Sequence, residues 1–221
     1  MSTIGENILA LIKEIPTSVT LVAVSKTKPL TMLQEAYDAG QRVFGENYVQ
    51  ELCDKQPLLP SDIEWHFIGH LQSNKVKYIA PFVHTIHAVD SEKLLSEINK
   101  QAAKNNRVIN CLLQIHIADE ETKFGFEPAT AVEEISLISP EKYPQVRIIG
   151  VMGMASFVED TTQVQREFQT LKHIFDALKK GAFQSQPHFT EISMGMSGDW
   201  KMAISEGSTM VRIGSSIFGS R

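Results

Sequence analysis

Short apolar runs with strand character alternate with helical segments along the whole 221-residue sequence. Strands that alternate with helices pair in parallel, because each crossover returns the chain to the same end of the sheet. The strands read as Thr20–Ser25, Arg42–Phe44, Glu64–Ile68, His84–Val89, Val108–Ile117, Arg147–Met152, Phe189–Ser193 and Thr209–Ile213. A first helix over Met1–Ile15 sets Ile4, Ile8, Leu11, Ile12 and Ile15 near one face. Further helices read as about Leu30–Ala39, after Gly45-Glu46-Asn47 to about Gln56, from about Ser73, and through Leu94, Leu95 and Ile98 after the N-cap signal Asp90-Ser91. The remainder fall near Pro128–Leu137, over Thr161–Lys180 and over Ser197–Glu206. Gly40 and Gly181 stand where glycines end helices. Eight such units without a linker predict one domain, residues 1–221, folded as a closed (β/α)8 barrel of the TIM type. An open doubly wound sheet is the competing topology. Its dinucleotide-binding form is disfavoured because no G-x-G-x-x-G follows the first strand.

Charge and composition exclude several classes of partner. The formal net charge is −5 and no long basic run occurs, so neither nucleic acid nor an anionic membrane is an expected partner. The longest apolar runs fall well short of the roughly 20 residues of a membrane helix. The N-terminal stretch lacks the basic and apolar blocks of a signal peptide. Cys53 and Cys111 share no motif spacing, so reduced thiols in a cytoplasmic protein are expected.

In a parallel barrel the active face lies at the C-terminal strand ends. Those ends supply Lys26, Asn47, His70, Gln72, Met152, Met154, Ser193–Ser197 and Arg212–Ser216. Paired carboxylates for glycoside or metal chemistry are missing from the set. Barrels often hold phosphate with the loops after strands seven and eight. Here those loops read Ser193-Met194-Gly195-Met196-Ser197-Gly198 and Gly214-Ser215-Ser216. Ser197 is expected to cap the following helix. The two loops are ordinary helix caps on one reading and a phosphate cup on the other. A lysine facing a phosphate cup suits pyridoxal 5′-phosphate (PLP), whose aldehyde takes an amine. Lys26 ends the apolar run Leu21-Val22-Ala23-Val24-Ser25, where desolvation favours a neutral amine. Lys28 has the same strand parity and is its rival, placed further out beside Pro29. Arg212 falls among inward-facing residues and needs an acceptor, either a pyridine nitrogen or a carboxylate such as Glu191 or Glu206. The histidines His66, His70, His84, His87 and His116 are scattered over three strands, and no metal site is expected from them. The methionines 152, 154, 194 and 196 read as a flexible apolar wall. Asp119–Gly125 reads as a solvated rim.

Several longer motifs carry a resemblance. They are Val22-Ala23-Val24-Ser25-Lys26-Thr27-Lys28-Pro29, Phe44-Gly45-Glu46-Asn47-Tyr48-Val49-Gln50-Glu51 and Trp65-His66-Phe67-Ile68-Gly69-His70-Leu71-Gln72-Ser73-Asn74-Lys75. Ser193-Met194-Gly195-Met196-Ser197 and the stretch from Gly207 to Gly219 complete them. The chain resembles the YggS/PROSC family of pyridoxal phosphate homeostasis proteins over essentially its whole length. The resemblance departs at Gly198, where the family is usually acidic, and at Ser215, where threonine is common. It implies a single barrel similar to the N-terminal domain of alanine racemase. In that likeness Lys26 matches the Schiff-base lysine and Arg212 the arginine facing the pyridine nitrogen. Ser197, Gly214 and Ser215 match the phosphate cup, with Ser193 and Asn47 near the cofactor. The implied role is PLP homeostasis without established turnover, with transient PLP-enzyme recipients as partners. A PLP-dependent amino-acid racemase is the alternative. Racemase-like enzymes add a β-rich domain and an opposing tyrosine. The expected site is instead open and one-sided, on a monomer, with Tyr48 as the one tyrosine near the mouth.

Overall fold

The computed structural model describes residues 3–119 and 124–219. Part of the expected solvated rim, residues 120–123, lies outside the described residues. The strands are β1 (Thr20–Val24), β2 (Val43–Glu46), β3 (Glu64–Phe67), β4 (Thr85–Val89), β5 (Ile109–Gln114), β6 (Val146–Met152), β7 (Glu191–Ser193) and β8 (Met210–Ile213). They form a closed barrel in sequence order, every pairing parallel. The seam closes between the first and last strands, with Val22 opposite Arg212 and Ala23 opposite Ile213. The doubly wound alternative is thereby excluded.

The helices are α1 (Ile4–Glu14), α2 (Leu30–Asp38), α3 (Val49–Lys55), α4 (Val76–Ile79), α5 (Glu92–Lys104), α6 (Ala131–Ser136), α7 (Thr161–Lys180), α8 (Trp200–Ser205) and α9 (Ser215–Phe218). α1 starts with a capping box, in which Thr3 and Glu6 exchange hydrogen bonds. It lies against α2 and α9, and so covers the β1–β8 seam. Asn7 donates to the Ile217 carbonyl at 2.9 Å, and the Ile4 N–H donates to Glu35 at 2.9 Å.

Alternation along the strands divides the core in two. One set, including Phe44, Trp65, Phe67, Ile86, Phe168 and Val211, is packed between sheet and helices. A smaller cluster of Ala88, Leu112, Ile149, Met152 and Met210 fills part of the barrel interior. The rest of that interior is polar, with His66, Thr85, His87, Ser193 and Arg212 all buried.

Several boundaries differ from expectation for physical reasons. β5 ends at Gln114, beyond which Ile115 forms an isolated parallel bridge to Phe126. β7 begins only at Glu191 because Phe189 stacks on Phe175 and Phe183 at 5.1 and 4.3 Å, while Lys179 takes its carbonyl. The helix expected from Ser73 is a 3-10 turn, Ser73–Lys75, followed by the short α4. Ser197 does not cap a helix. The chain makes another turn, and α8 starts at Trp200 with Asp199 in the cap position.

Candidate functional site

Lys26 lies two residues beyond the end of β1, after Ser25, and the chain around it is clamped from behind. Glu46, at the end of β2, is fully buried; its Oε1 accepts from the Ser25 hydroxyl and from Lys55 Nζ, both at 2.7 Å. Lys55 spends its other donors on the Ser25 carbonyl at 2.8 Å and Glu51 Oε1 at 2.7 Å. Glu51 in turn accepts the Thr27 N–H at 2.6 Å. That bond holds Thr27 at φ 63°, a left-handed backbone that costs a β-branched residue roughly 1–2 kcal/mol. The residues on both sides of Lys26 are therefore fixed by one charge cluster. Burial raises the Glu46 carboxyl above its ordinary range, and the bonds from Lys55 and Ser25 offset part of the shift. Its Oε2 is buried without a partner.

Asn47 follows β2 and is locked by a close approach. A Cβ on Gly69 would stand 2.4 Å from the Asn47 carbonyl oxygen, so only glycine fits after β3. The Asn47 Oδ1 is buried and unpartnered.

Arg212 on β8 is 4 % exposed. It donates through Nη1 to Ser193 Oγ at 2.5 Å and through Nη2 to the Gly153 carbonyl at 3.0 Å. The expected alternative, an ion pair with Glu191 or Glu206, does not form. Glu191 accepts from Thr190 and Thr209 hydroxyls, and Glu206 accepts from Gln165. Burial lowers the Arg212 pKa to about 10, with Asp199 partly opposing, so the guanidinium stays charged at neutral pH. Below it the polar chain continues. Ser193 Oγ meets His87 Nδ1 at 3.0 Å, and His87 Nε2 meets His66 Nδ1 at 2.9 Å. Both imidazoles are held neutral. Burial is the main cause, pushing His66 down to about 3 and His87 well below its ordinary value.

The loops after β7 and β8 touch. Ser197 Oγ accepts the Gly214 N–H at 3.2 Å. Gly195 takes φ 95°, and a Cβ there would stand 2.5 Å from that of Ala203, so the turn needs glycine. The Asp199 carboxylate accepts the Met196 N–H at 2.5 Å.

A cavity of about 560 Å³ opens at the C-terminal end of the strands. Lys26, Asn47, Ser197, Arg212, Gly214 and Ser215 all line it. Ser193 does not; it lies beneath, holding Arg212. Lys28 lies outside the cavity, its amine directed to the Phe218 and Gly219 carbonyls at 3.2 and 3.0 Å. Tyr48 lines a separate groove beside Lys28 and Pro29. Of the methionine wall, Met154 and Met196 reach the cavity, whereas Met152 and Met194 are fully buried. Sequence reasoning missed Phe157 and Asp199 in the lining, and gave His87 no part beneath it.

An amine just beyond β1 and a guanidinium on β8 meet serine- and glycine-bearing loops at one cavity of a closed parallel barrel, the architecture of the racemase type. The family model for the alanine racemase N-terminal domain accordingly matches residues 1–221. Within that class the chain belongs to the family of pyridoxal phosphate homeostasis proteins. It is 42% identical to the one from Aquifex aeolicus over 204 residues, covering 91% of this chain and 86% of that protein. With the one from Escherichia coli K12 it shares 40% identity over 210 residues, 93% and 87% of the two chains. The solved structure of PipY from Synechococcus elongatus PCC7942, with PLP bound, superposes with TM-score 0.87 at 37% identity, covering 98% of this chain and all of that one. Alanine racemase from E. faecalis shares the fold, with TM-score 0.76 at 14% identity, over 99% of this chain and 58% of the enzyme.

Proposed function

We propose that the cavity binds PLP and that the chain serves PLP homeostasis without catalytic turnover. The observation that carries this reading is the convergence of Lys26, Arg212 and the two serine- and glycine-bearing loops on one cavity of a size that suits a small cofactor. The residues fit the group. The orphaned Asn47 Oδ1 is a polar atom awaiting a partner, and a Cβ built on Gly198 would meet nothing within 4 Å. PLP supplies an aldehyde for capture by an amine as a Schiff base, and Lys26 is the amine at the cavity wall. Arg212, held charged at the cavity wall, would be the cation beside the ring; an arginine partner keeps a pyridine nitrogen unprotonated and weakens it as an electron sink. The Ile217 and Phe218 N–H groups bond the Gly214 carbonyl, which leaves the Ser215 and Ser216 N–H groups to join the Ser197 and Ser215 hydroxyls as donors for a phosphate. Of the tyrosines a racemase would need as a second acid/base, Tyr37 donates to Asp62, Tyr143 donates to Glu92, and Tyr48 stands over its separate groove. The proposed role has PLP passing to recipient enzymes in a reducing compartment, in keeping with the unpaired Cys53 and Cys111.

Purified protein incubated with PLP is expected to gain a visible absorption band that borohydride bleaches and that Lys26→Ala abolishes. No band in the parent protein would overturn the assignment. A Ser197→Ala/Ser215→Ala double variant is expected to lose PLP affinity by at least about tenfold, as lost bonds to a charged group imply. Unchanged affinity would remove the phosphate cup. Lys26-dependent exchange of amino-acid α-protons in heavy water at enzyme-like rates would replace this reading with the racemase one.

A further inference from the structure

The opposite end of the barrel holds a second group of chemically capable side chains. Glu64 and His66 share one face of β3, two residues apart, and His84 immediately precedes β4. Each of the three presents a ligand atom within 4.8 Å of the other two. We propose that Glu64, His66 and His84 bind a divalent transition cation, Zn²⁺ in the first instance, at the N-terminal mouth of the barrel. The claim is independent of what the cavity at the other end holds.

Two imidazoles and a carboxylate make the mixed nitrogen and oxygen donor set that suits zinc with one coordination position left open. The decisive residue is His66. It is 2 % exposed, its Nδ1 is engaged by His87, and its Nε2 is buried with no hydrogen-bond partner. A buried polar atom left unpaired needs an explanation, and a ligand is the simplest one. Nε2 is also the only ring nitrogen His66 has left for coordination. Burial keeps the ring neutral, as metal binding requires. The contact behind it has the form of a metal site's outer shell. Ligating histidines donate their other ring N–H to a nearby acceptor, which fixes the tautomer. With Nδ1–H donating to His87 Nε2, the lone pair of the buried His66 Nε2 is left for a ligand.

The other two ligands stand ready but are not locked. The Glu64 and His84 side chains are 51% and 43% exposed, and His84 Nδ1 lies 3.7 Å from Glu64 Oε2. The His84 ring stacks on His66 with centroids 5.6 Å apart, so it must turn to bring a nitrogen onto a shared ion. Thr85 Oγ1, 3.0 Å from His84 Nδ1, can hold the turned ring through that nitrogen. This site has little signature in the sequence, because its ligands come from β3 and the residue before β4 and only the Glu64-x-His66 spacing is local.

Coordination carries a consequence for the barrel interior. A metal on His66 Nε2 places the proton on Nδ1. His87 then accepts through Nε2, carries its own proton on Nδ1 and donates to Ser193 Oγ. The direction of every bond up to the serine beneath Arg212 is thereby set.

The test is titration of the full-length, metal-stripped protein with Zn²⁺ by calorimetry, followed by ¹⁵N spectra of the histidine side chains. One saturable site per chain is expected. Glu64→Gln and His84→Ala change exposed side chains and should leave the fold intact. Each is expected to weaken binding by more than the roughly tenfold that outer contacts alone cost. The His66 Nε2 resonance should shift on binding, and the His66 and His87 rings should both report Nδ1–H tautomers. No saturable binding at millimolar Zn²⁺, an unchanged affinity in either variant, or an unmoved His66 resonance would each overturn the site.

Discussion

The two cations at the cavity wall are held in opposite ways. Under Lys26 lies a charged and compensated cluster, Glu46–Lys55–Glu51, which grips the backbone at Ser25 and Thr27. Under Arg212 lies a neutral column, Ser193–His87–His66, which grips the guanidinium itself through Ser193. The main chain on both sides of Lys26 is thus held by that cluster. Arg212 is positioned through its head group, where a planar donor fork needs fixed acceptors. On the proposed reading, the first device would serve an amine that forms and releases a bond, and the second a guanidinium that presents one face to a ring.

The comparison breaks most sharply if the charged cluster loses its centre. Lys55→Met leaves the fully buried Glu46 without its cation, and removal of one member of a buried pair costs about 3–5 kcal/mol. Denaturant titration measures the loss. A stability near the parent value would mean that the cluster is not what holds the Lys26 loop.

The next largest effect separates the two devices by pH. His66 and His87 titrate lower folded than unfolded, so the folded state takes up fewer protons. Their stability contribution is complete above the ordinary histidine pKa near 6.5 and is lost as pH falls from there toward about 3. The groups facing them, His84, Glu64 and Arg212, supply no buried anion to reverse that sign. Two such groups give a slope of about 2.7 kcal/mol per pH unit in metal-free protein. Glu46, raised by burial, acts the other way: its contribution favours the folded state at low pH and is lost as pH rises through its raised pKa. A His87→Asn variant should flatten the acid limb of the stability curve, whereas an unchanged limb would mean that the column does not couple to folding.

Ser193→Ala follows, at about 1–3 kcal/mol, because it strips a buried guanidinium of an acceptor. It should also weaken PLP binding while the Lys26-dependent band persists. A variant that lost the band altogether would show that the serine serves the lysine as well. The smallest change is Thr27→Gly, expected to raise stability by about 0.5 kcal/mol, since relief of left-handed strain outweighs the added chain entropy. A loss of stability would mean that the threonine side chain contributes contacts of its own.

The same contrast explains what the sequence disclosed. The alternation of strand and helix was enough for the barrel, and strand-end parity brought Lys26, Asn47, Ser197 and Arg212 to one mouth. Ser197 lines the cavity, but the expectation that it also caps the following helix does not hold. A serine before a helical stretch looks like a cap, and the turn that moves the cap to Asp199 depends on the Met196 N–H finding that carboxylate. The clamp under Lys26 was not visible, because it joins Glu46 of β2 to Lys55 of α3, and a buried lysine has no local signature. The histidine column was invisible. Its members lie on β3, β4 and β7, and only barrel closure makes neighbours of His87 and Ser193.

The seam between β1 and β8 has a consequence in time as well as in space. Lys26 and Arg212 stand at the two ends of the barrel's strand order, and the pairing of Val22 with Arg212 is among the longest-range contacts in the chain. Such contacts form late, because the entropy of closing so long a loop must be met first. During synthesis, β1 therefore waits with an uncovered edge until β8 emerges. A chain stalled before Met210 would have Lys26 but neither Arg212 nor the final loop. Competence to hold a ligand would then arise in the closing step of folding, so ligand capture would report that the barrel has been completed.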